Sequence, residues 1–327
     1  MNSVSAASMS HGPVEAIHDA KYFFDDGDCM FLVEGVLFKL HKLFLSRDPE
    51  SMFRHMFSLP QPSTAKTMDK DPIQLSDSAE DFRALCWGTY ALPPEMRRQD
   101  TCDADIPRLL AAARIFHKYN LLTFETWALD VLCHQCESPK LDCLNSCSQD
   151  QLERFLALSA FCECAELRCI VEQKWLALLD KGSVGSSHAL VAAEKYGTPS
   201  FVGQIYYQLN RKIPSLTMSP QLAFSDLNLT AEQLLRLLSG HVSLHHFWER
   251  FRQSCPGADP DADGHNHKYT CESHWKTAPF QSASSSDVLA GLNSCQDFLL
   301  RGDLCGAEYV DQVILKIAVG LPNYFVG

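Results

Sequence analysis

Residues Asp28 to Phe53, DCMFLVEGVLFKLHKLFLSRDPESMF, constrain the fold more than any other stretch of the chain. Two β-rich apolar runs, Cys29–Val33 and Val36–Leu40, flank Glu34-Gly35 and predict a hairpin with a tight turn. A His41-Lys42 pair follows at once. Helical periodicity begins at Lys42 with Leu43, Phe44 and Leu45, and Asp48-Pro49-Glu50 then opens a second helix carrying Met52, Phe53, Met56 and Phe57. Pro49 suits a first helical position, where its missing N–H costs nothing. A short sheet of such strands, covered by a cluster of helices, can bury both strand faces.

After a polar loop over Leu59–Asp71, Pro72-Ile73-Gln74-Leu75 reads as a short strand. Ser78 with Asp81 forms a capping-box arrangement. Phe82, Leu85, Cys86, Thr89 and Tyr90 then mark one face of a helix that Pro93-Pro94 ends. Two amphipathic helices follow. One carries Leu109, Leu110, Ala113 and Phe116; the other carries Phe124, Trp127, Ala128, Val131 and Leu132.

From about Ser148 the periodicity is helical throughout, with further capping boxes at Ser148/Gln151 and Thr230/Gln233 and a Gly/Ser linker over Gly182–Ser187. At 327 residues the chain exceeds what one core usually serves, so at least two cores are expected. The expected division is a disordered leader over 1–20, a mixed α/β domain over 21–137, a helical region over 148–254, an irregular Cys/His/Asp-rich loop over 255–286 and a helical segment over 287–327. The expected fold class is α+β.

The order of elements over roughly Lys21–Gln135 resembles a BTB/POZ domain. The residues that carry the resemblance are Asp28, Phe31, Val33, Gly35, Phe38, His41, Lys42, Leu45 and Phe53, joined by Pro72, Ile73, Leu75, Phe82 and Tyr90. The whole chain is similar in layout to the large fungal group of BTB proteins with a helical C-terminal extension. Its helical region resembles, by position, the BACK domain that often follows BTB. The resemblance implies protein–protein interaction without catalysis, and homodimerisation through the first strand and helix. In several family members a buried Asp and a basic residue lie near that interface, and Asp28 and Lys42 match them. The other reading of this pair is an ordinary surface ion pair worth under about 1 kcal/mol. Tyr22, Phe23 and Phe24 would supply an exchanged edge strand. Many family members are cullin-ligase adaptors and carry an apolar-x-Glu element after the second helix. Here that region reads Met56, Phe57, Ser58, Leu59, Pro60, Gln61, with no Glu. That departure argues against a cullin partner, although the adaptor reading stays as an alternative.

A formal net charge of −12 argues against non-specific binding to nucleic acid or anionic membrane, since both rest on Lys/Arg neutralising phosphate. No stretch reaches the roughly 18 apolar residues that a bilayer span requires. The first residues lack a basic start followed by an apolar run, so no secretory signal is read and an intracellular place, cytoplasm or nucleus, is expected. The 14 cysteines are then expected as free thiols.

One segment has site-like chemistry. Cys255, His265, His267, Cys271 and His274 offer thiolate and imidazole ligands suited to tetrahedral zinc, though their spacing matches no zinc-finger pattern. The alternative is a flexible His-rich loop. Asp259, Asp261, Asp263 and Gly264 match half of a calcium loop, but Thr270 stands where the bidentate Glu belongs. Cys133-x-x-Cys136 with Cys143 and Cys147 resembles a metal knuckle only weakly. His41 reads as a structural imidazole hydrogen-bonded to nearby backbone, and the pair His241 and His245 as packing or capping groups. No nucleophile elbow, phosphate loop or dinucleotide fingerprint is present.

Overall fold

The computed structural model describes residues 16–59, 72–141, 143–196, 198–218, 227–253, 273–301 and 306–325. The N-terminal part is built on the predicted hairpin. Strands β2 (Cys29–Val33) and β3 (Val36–Leu40) pair antiparallel, from Cys29 opposite Leu40 to Val33 opposite Val36. Glu34 and Gly35 both take positive φ, 48° and 76°, which lets a two-residue turn follow the twist of its strands. The register sets Phe31 opposite Phe38, and both are fully buried together with Val33 and Leu40.

Strand β1 (Ile17–Phe23) runs parallel to β3, and β4 (Ile73–Leu75) runs parallel to β2, giving a mixed sheet of order β1-β3-β2-β4. β1 takes in residues 17–20, which the sequence reading gave to the leader. Its pairing is irregular between His18 and Phe23, and the residues it buries are Asp19 and Tyr22. An inward spacing of three, half of it polar, hides the period of two by which a strand is recognised.

Helices α1 (Lys42–Leu45) and α2 (Met52–Ser58) follow the hairpin. α2 starts later than Pro49, because Ser51 is its N-cap: the Ser51 hydroxyl accepts from the Phe53 amide and donates to the Leu45 carbonyl. α3 (Ala79–Tyr90) is capped by Ser78 as expected, with Ser78 Oγ accepting from the Asp81 amide at 3.1 Å. Beyond the predicted face of Phe82, Leu85, Cys86 and Thr89, it also buries Ala84, Trp87 and Gly88, so it is a central helix. The Phe82 ring lies 5.4 Å from Phe31 and 4.8 Å from Phe38, tying α3 to the sheet. Pro93-Pro94 stop α3 and also begin α4 (Pro93–Arg98), inside the expected loop. α5 (Ile106–Lys118) and α6 (Leu122–Glu137) complete this part.

The chain divides into two compact units, Met1–Ser146 with Arg154–Val171, and Cys147–Glu153 with Glu172–Gly327. Helices α7 (Gln149–Phe161) and α8 (Ala165–Asp180) contribute residues to both. The second unit continues with α9 (Ser186–Tyr196), α10 (Pro199–Met218), α11 (Ala231–Gln253), α12 (273–277), α13 (Val288–Arg301) and α14 (Ala307–Phe325). Both predicted capping boxes close reciprocally. Ser148 N donates to Gln151 Oε1 while Gln151 N donates to Ser148 Oγ, and Thr230 and Gln233 repeat the pattern. Trp175, Phe201, Tyr206, Trp248 and Phe325 fill this core.

The described end of the 255–286 segment is more regular than a loop. α12 and a 3-10 turn at Pro279–Ser282 carry Trp275 and Phe280 into the core. The Trp275 indole donates to the Arg252 carbonyl at 2.8 Å and its ring lies 4.7 Å from Phe280. Two large aromatic side chains explain the order there, since each buries more apolar area than a polar linker can. The whole is α+β, mainly helical with a small N-terminal mixed sheet. Among the described residues no helix is long and apolar enough to cross a membrane.

Candidate functional site

The residues expected at an interface gather around β1, the hairpin and α1. Asp28 precedes β2 and is exposed, where the resemblance implies a buried carboxylate. Its Oδ1 accepts from the backbone amide of Lys42 at 2.7 Å, so it occupies one of the orphan donors that open α1. The Lys42 ammonium lies 5.5 Å from the centre of the Phe57 ring on α2. Burial, and next the Asp28 charge, push the Cys29 thiol beside them up to about 12. Tyr22 and Phe23 belong to β1, which pairs with β3 of the same chain, and the amide of Phe24 donates to the Lys39 carbonyl at 2.9 Å.

An aromatic cluster locks this corner. Phe24 stacks on Tyr90 at 5.1 Å, Phe44 lies 4.5 Å from Tyr90, and Tyr22 packs 6.4 Å from it. The Tyr90 hydroxyl accepts from the His41 amide at 2.9 Å and lies 3.0 Å from His41 Nδ1. Burial drives the Tyr90 phenol well above its ordinary range, so it stays a neutral hydroxyl able to serve both contacts. His41 is thus a structural link between the end of β3 and the end of α3, with its ring on the Tyr90 hydroxyl and not on nearby backbone.

A second tie joins β1 to α3. Asp19 is buried, and its carboxylate accepts from the Lys21 and Tyr22 amides and from Arg83 Nε. A cleft of about 400 Å³ opens beside it, lined by Asp19, Tyr22, Arg83, Trp87 and Arg108. Sequence reasoning passed over Asp19 because a lone carboxylate in a polar run carries no motif.

Of the expected zinc ligands, Cys255, His265, His267 and Cys271 lie outside the described residues, as do Asp259, Asp261 and Asp263. His274 stands on α12 and is exposed. Pro60 and Gln61, from the region compared with the cullin element, are also outside them. Cys29, Cys86, Cys102, Cys133, Cys162 and Cys164 are free thiols. Among the described residues Cys133, Cys136, Cys143 and Cys147 do not bring three ligand atoms together: Cys136 Sγ lies 3.6 Å from Cys143 Sγ, while Cys133 has Cys164 beside it. His241 Nδ1 lies 2.8 Å from Asn210 Oδ1, and Asn210 Nδ2 donates to the Ser286 carbonyl. Burial, then His245, lowers the His241 pKa, which fits a packed neutral imidazole.

A different constellation comes together in the N-terminal unit. His117 in the last turn of α5, Glu125 in the first turn of α6 and Cys162 just past α7 each place one ligand-type atom within 4.8 Å of the other two. His117 Nδ1 and Glu125 Oε1 are 2.8 Å apart. Spread along the chain with no recurring spacing, these residues gave no signal in the sequence; only the folding of three elements onto one point reveals them. Comparison of the chain with protein-family models, with curated proteins and with solved structures found no match in any of the three.

Proposed function

We propose that this chain is a protein-interaction protein of the BTB/POZ type, which self-associates through its N-terminal unit and binds a protein partner without catalysing a reaction. The observation that carries this reading is where large apolar side chains face water. Ile17 on β1 is 72% exposed and Leu43 on α1 is 70% exposed, and these are the two elements the resemblance assigns to the dimer. Met52, opening α2, is also more than half exposed. Removing such side chains from water is favourable at about 25 cal/mol per Å², which gives a second copy a reason to bind there. The order strand, hairpin, two helices, strand and then four helices, the second of them the short α4, keeps the elements on which the resemblance rests. β1 at the sheet edge, held by a single neighbouring strand among the described residues, is the type of element that exchanges between protomers. The buried thiols Cys29, Cys133 and Cys162, each pushed up to about 12 chiefly by burial, make poor nucleophiles at neutral pH.

Co-expression of two differently tagged full-length copies tests the proposal. At equal expression each tag should recover the other copy in about half the amount of the tagged one, as random pairing into dimers requires. Recovery of one tag alone, at any expression ratio, would count against it.

A further inference from the structure

We propose that His117, Glu125 and Cys162 form a zinc site in the N-terminal unit. Imidazole, carboxylate and thiolate are the three side-chain types zinc takes. Tetrahedral zinc, with ligand bonds of about 2.0–2.3 Å, sets donor atoms roughly 3.3–3.6 Å apart. The spacing here brackets that range, with the His117–Glu125 pair at 2.8 Å and no pair of donors beyond 4.8 Å. Adjustments on the order of 1 Å would bring all three onto one ion, within the first movement that side-chain torsions allow.

The backbone fixes where the donors stand. α5 closes with the Leu121 amide donating to the Phe116 carbonyl, and Asn120 takes φ 55°. α7 closes in the same way, with the Cys164 amide donating to the Ser159 carbonyl and Glu163 at φ 52°. Both are left-handed helix endings of the Schellman kind. They put His117 and Cys162 at the C-terminal ends of two helices, where the backbone dipoles favour a cation. The Glu125 carboxylate adds a full negative charge beside them.

Access and enclosure are both present. Cys162 and Glu125 are buried, while the His117 side chain is 36% exposed and gives a path from solvent. The Phe161 ring packs edge-on against the imidazole at 5.0 Å and shields one side. In the metal-free arrangement burial, then Glu125 and Cys164, push the Cys162 thiol up to about 12. A divalent ion reverses that balance: binding releases the thiol proton to water and leaves the thiolate on the metal. The ion would cross-link α5, α6 and the turn after α7. None of the three residues belongs to the Cys255–His274 segment, and the proposal does not depend on how the chain associates.

The test uses the full-length chain, reduced, stripped with a chelator and titrated with Zn²⁺ alone or Co²⁺ alone. The expected result is one ion held by the triad, with a thiolate-to-cobalt charge-transfer band in the near ultraviolet. Cys162→Ser should abolish that band, and His117→Gln should weaken Zn²⁺ affinity by about tenfold or more. His117 is part-exposed, so its variant stays informative if Cys162→Ser folds poorly, and far-ultraviolet circular dichroism monitors both. Cys271→Ser should leave the band in place. A chain that takes up no Zn²⁺ at micromolar concentration overturns the proposal. So does a thiolate–cobalt band that survives Cys162→Ser and is lost in Cys271→Ser.

Discussion

The Asp19 carboxylate on β1 accepts a hydrogen bond from Arg83 Nε on α3 at 2.7 Å. The carboxylate is buried while the guanidinium is about half exposed, so the contact anchors an edge strand that buries little apolar surface of its own. Asp19→Ala removes the acceptor of three donors, two of them backbone amides of β1. We expect a loss of about 2–3 kcal/mol in urea unfolding, the range for hydrogen bonds to a charged group. A loss under about 0.5 kcal/mol would show that β1 is not anchored there.

The same carboxylate predicts a pH dependence. Burial pushes the Asp19 pKa up, but hydrogen bonds from Arg83, Lys21 and Tyr22 outweigh it and the net direction is below 3.8. A depressed acid contributes stability that is present above its unfolded pKa and lost as the pH falls through the folded one. The stability gap between the natural chain and Asp19→Asn should therefore be constant from about pH 7 to pH 5 and shrink below about pH 4. A gap that widens on acidification contradicts the assignment.

Tyr90→Phe tests the aromatic corner. The ring contacts to Phe24 and Phe44 survive, while the His41 amide loses its acceptor. The cost should be about 1–2 kcal/mol in thermal or urea unfolding, the desolvation cost of a part-buried amide left unpaired. A second substitution at His41 should not restore stability, because it removes only the ring contact and leaves the His41 amide without its acceptor.

Asp28 separates a capping role from a charge role. Its Oδ1 accepts the first amide of α1, and Asn keeps an acceptor at that atom. Asp28→Ala should cost about 1 kcal/mol and Asp28→Asn under about 0.5 kcal/mol by denaturant titration. If Asp28→Asn leaves stability alone but weakens self-association, the charge acts at the interface. Equal losses for Ala and Asn would remove the capping explanation.

In the second unit a methyl group at Gly203 would stand 2.7 Å from the backbone nitrogen of Pro322, so α10 and α14 approach too closely for any side chain there. Gly203→Ala should destabilise by about 1–3 kcal/mol through overpacking, read as a lowered melting temperature. An unchanged melting temperature would mean the two helices can part without loss.

Much of this architecture is legible in the residues. The hairpin was read from Glu34-Gly35 and its β-rich flanks, and the starts of α3, α7 and α11 from paired Ser/Thr and Asp/Gln. These signals are local, and local hydrogen bonds set them. Only the end of β1, at Tyr22 and Phe23, reads as an edge strand from the sequence; its start escapes that reading because the inward residues of β1 are Asp19 and Tyr22, so its burial depends on α3 and not on its own pattern. α4 was lost because two prolines mark a helix start as readily as a stop. Trp275 and Phe280 sit in a polar run whose order comes from the core they enter. The His117–Glu125–Cys162 group depends on three elements meeting, and no local rule reports such a meeting.

Sedimentation equilibrium of the full-length chain tests the central claim most directly, with Leu43→Asp as the comparison. Leu43 is exposed and α1 keeps Leu45 in the core, so the substitution leaves the fold in place. The account predicts twice the chain mass for the natural sequence at micromolar concentration and a single-chain mass for Leu43→Asp. A natural chain that sediments as a monomer at every concentration, or a Leu43→Asp dimer as tight as the natural one, would contradict it.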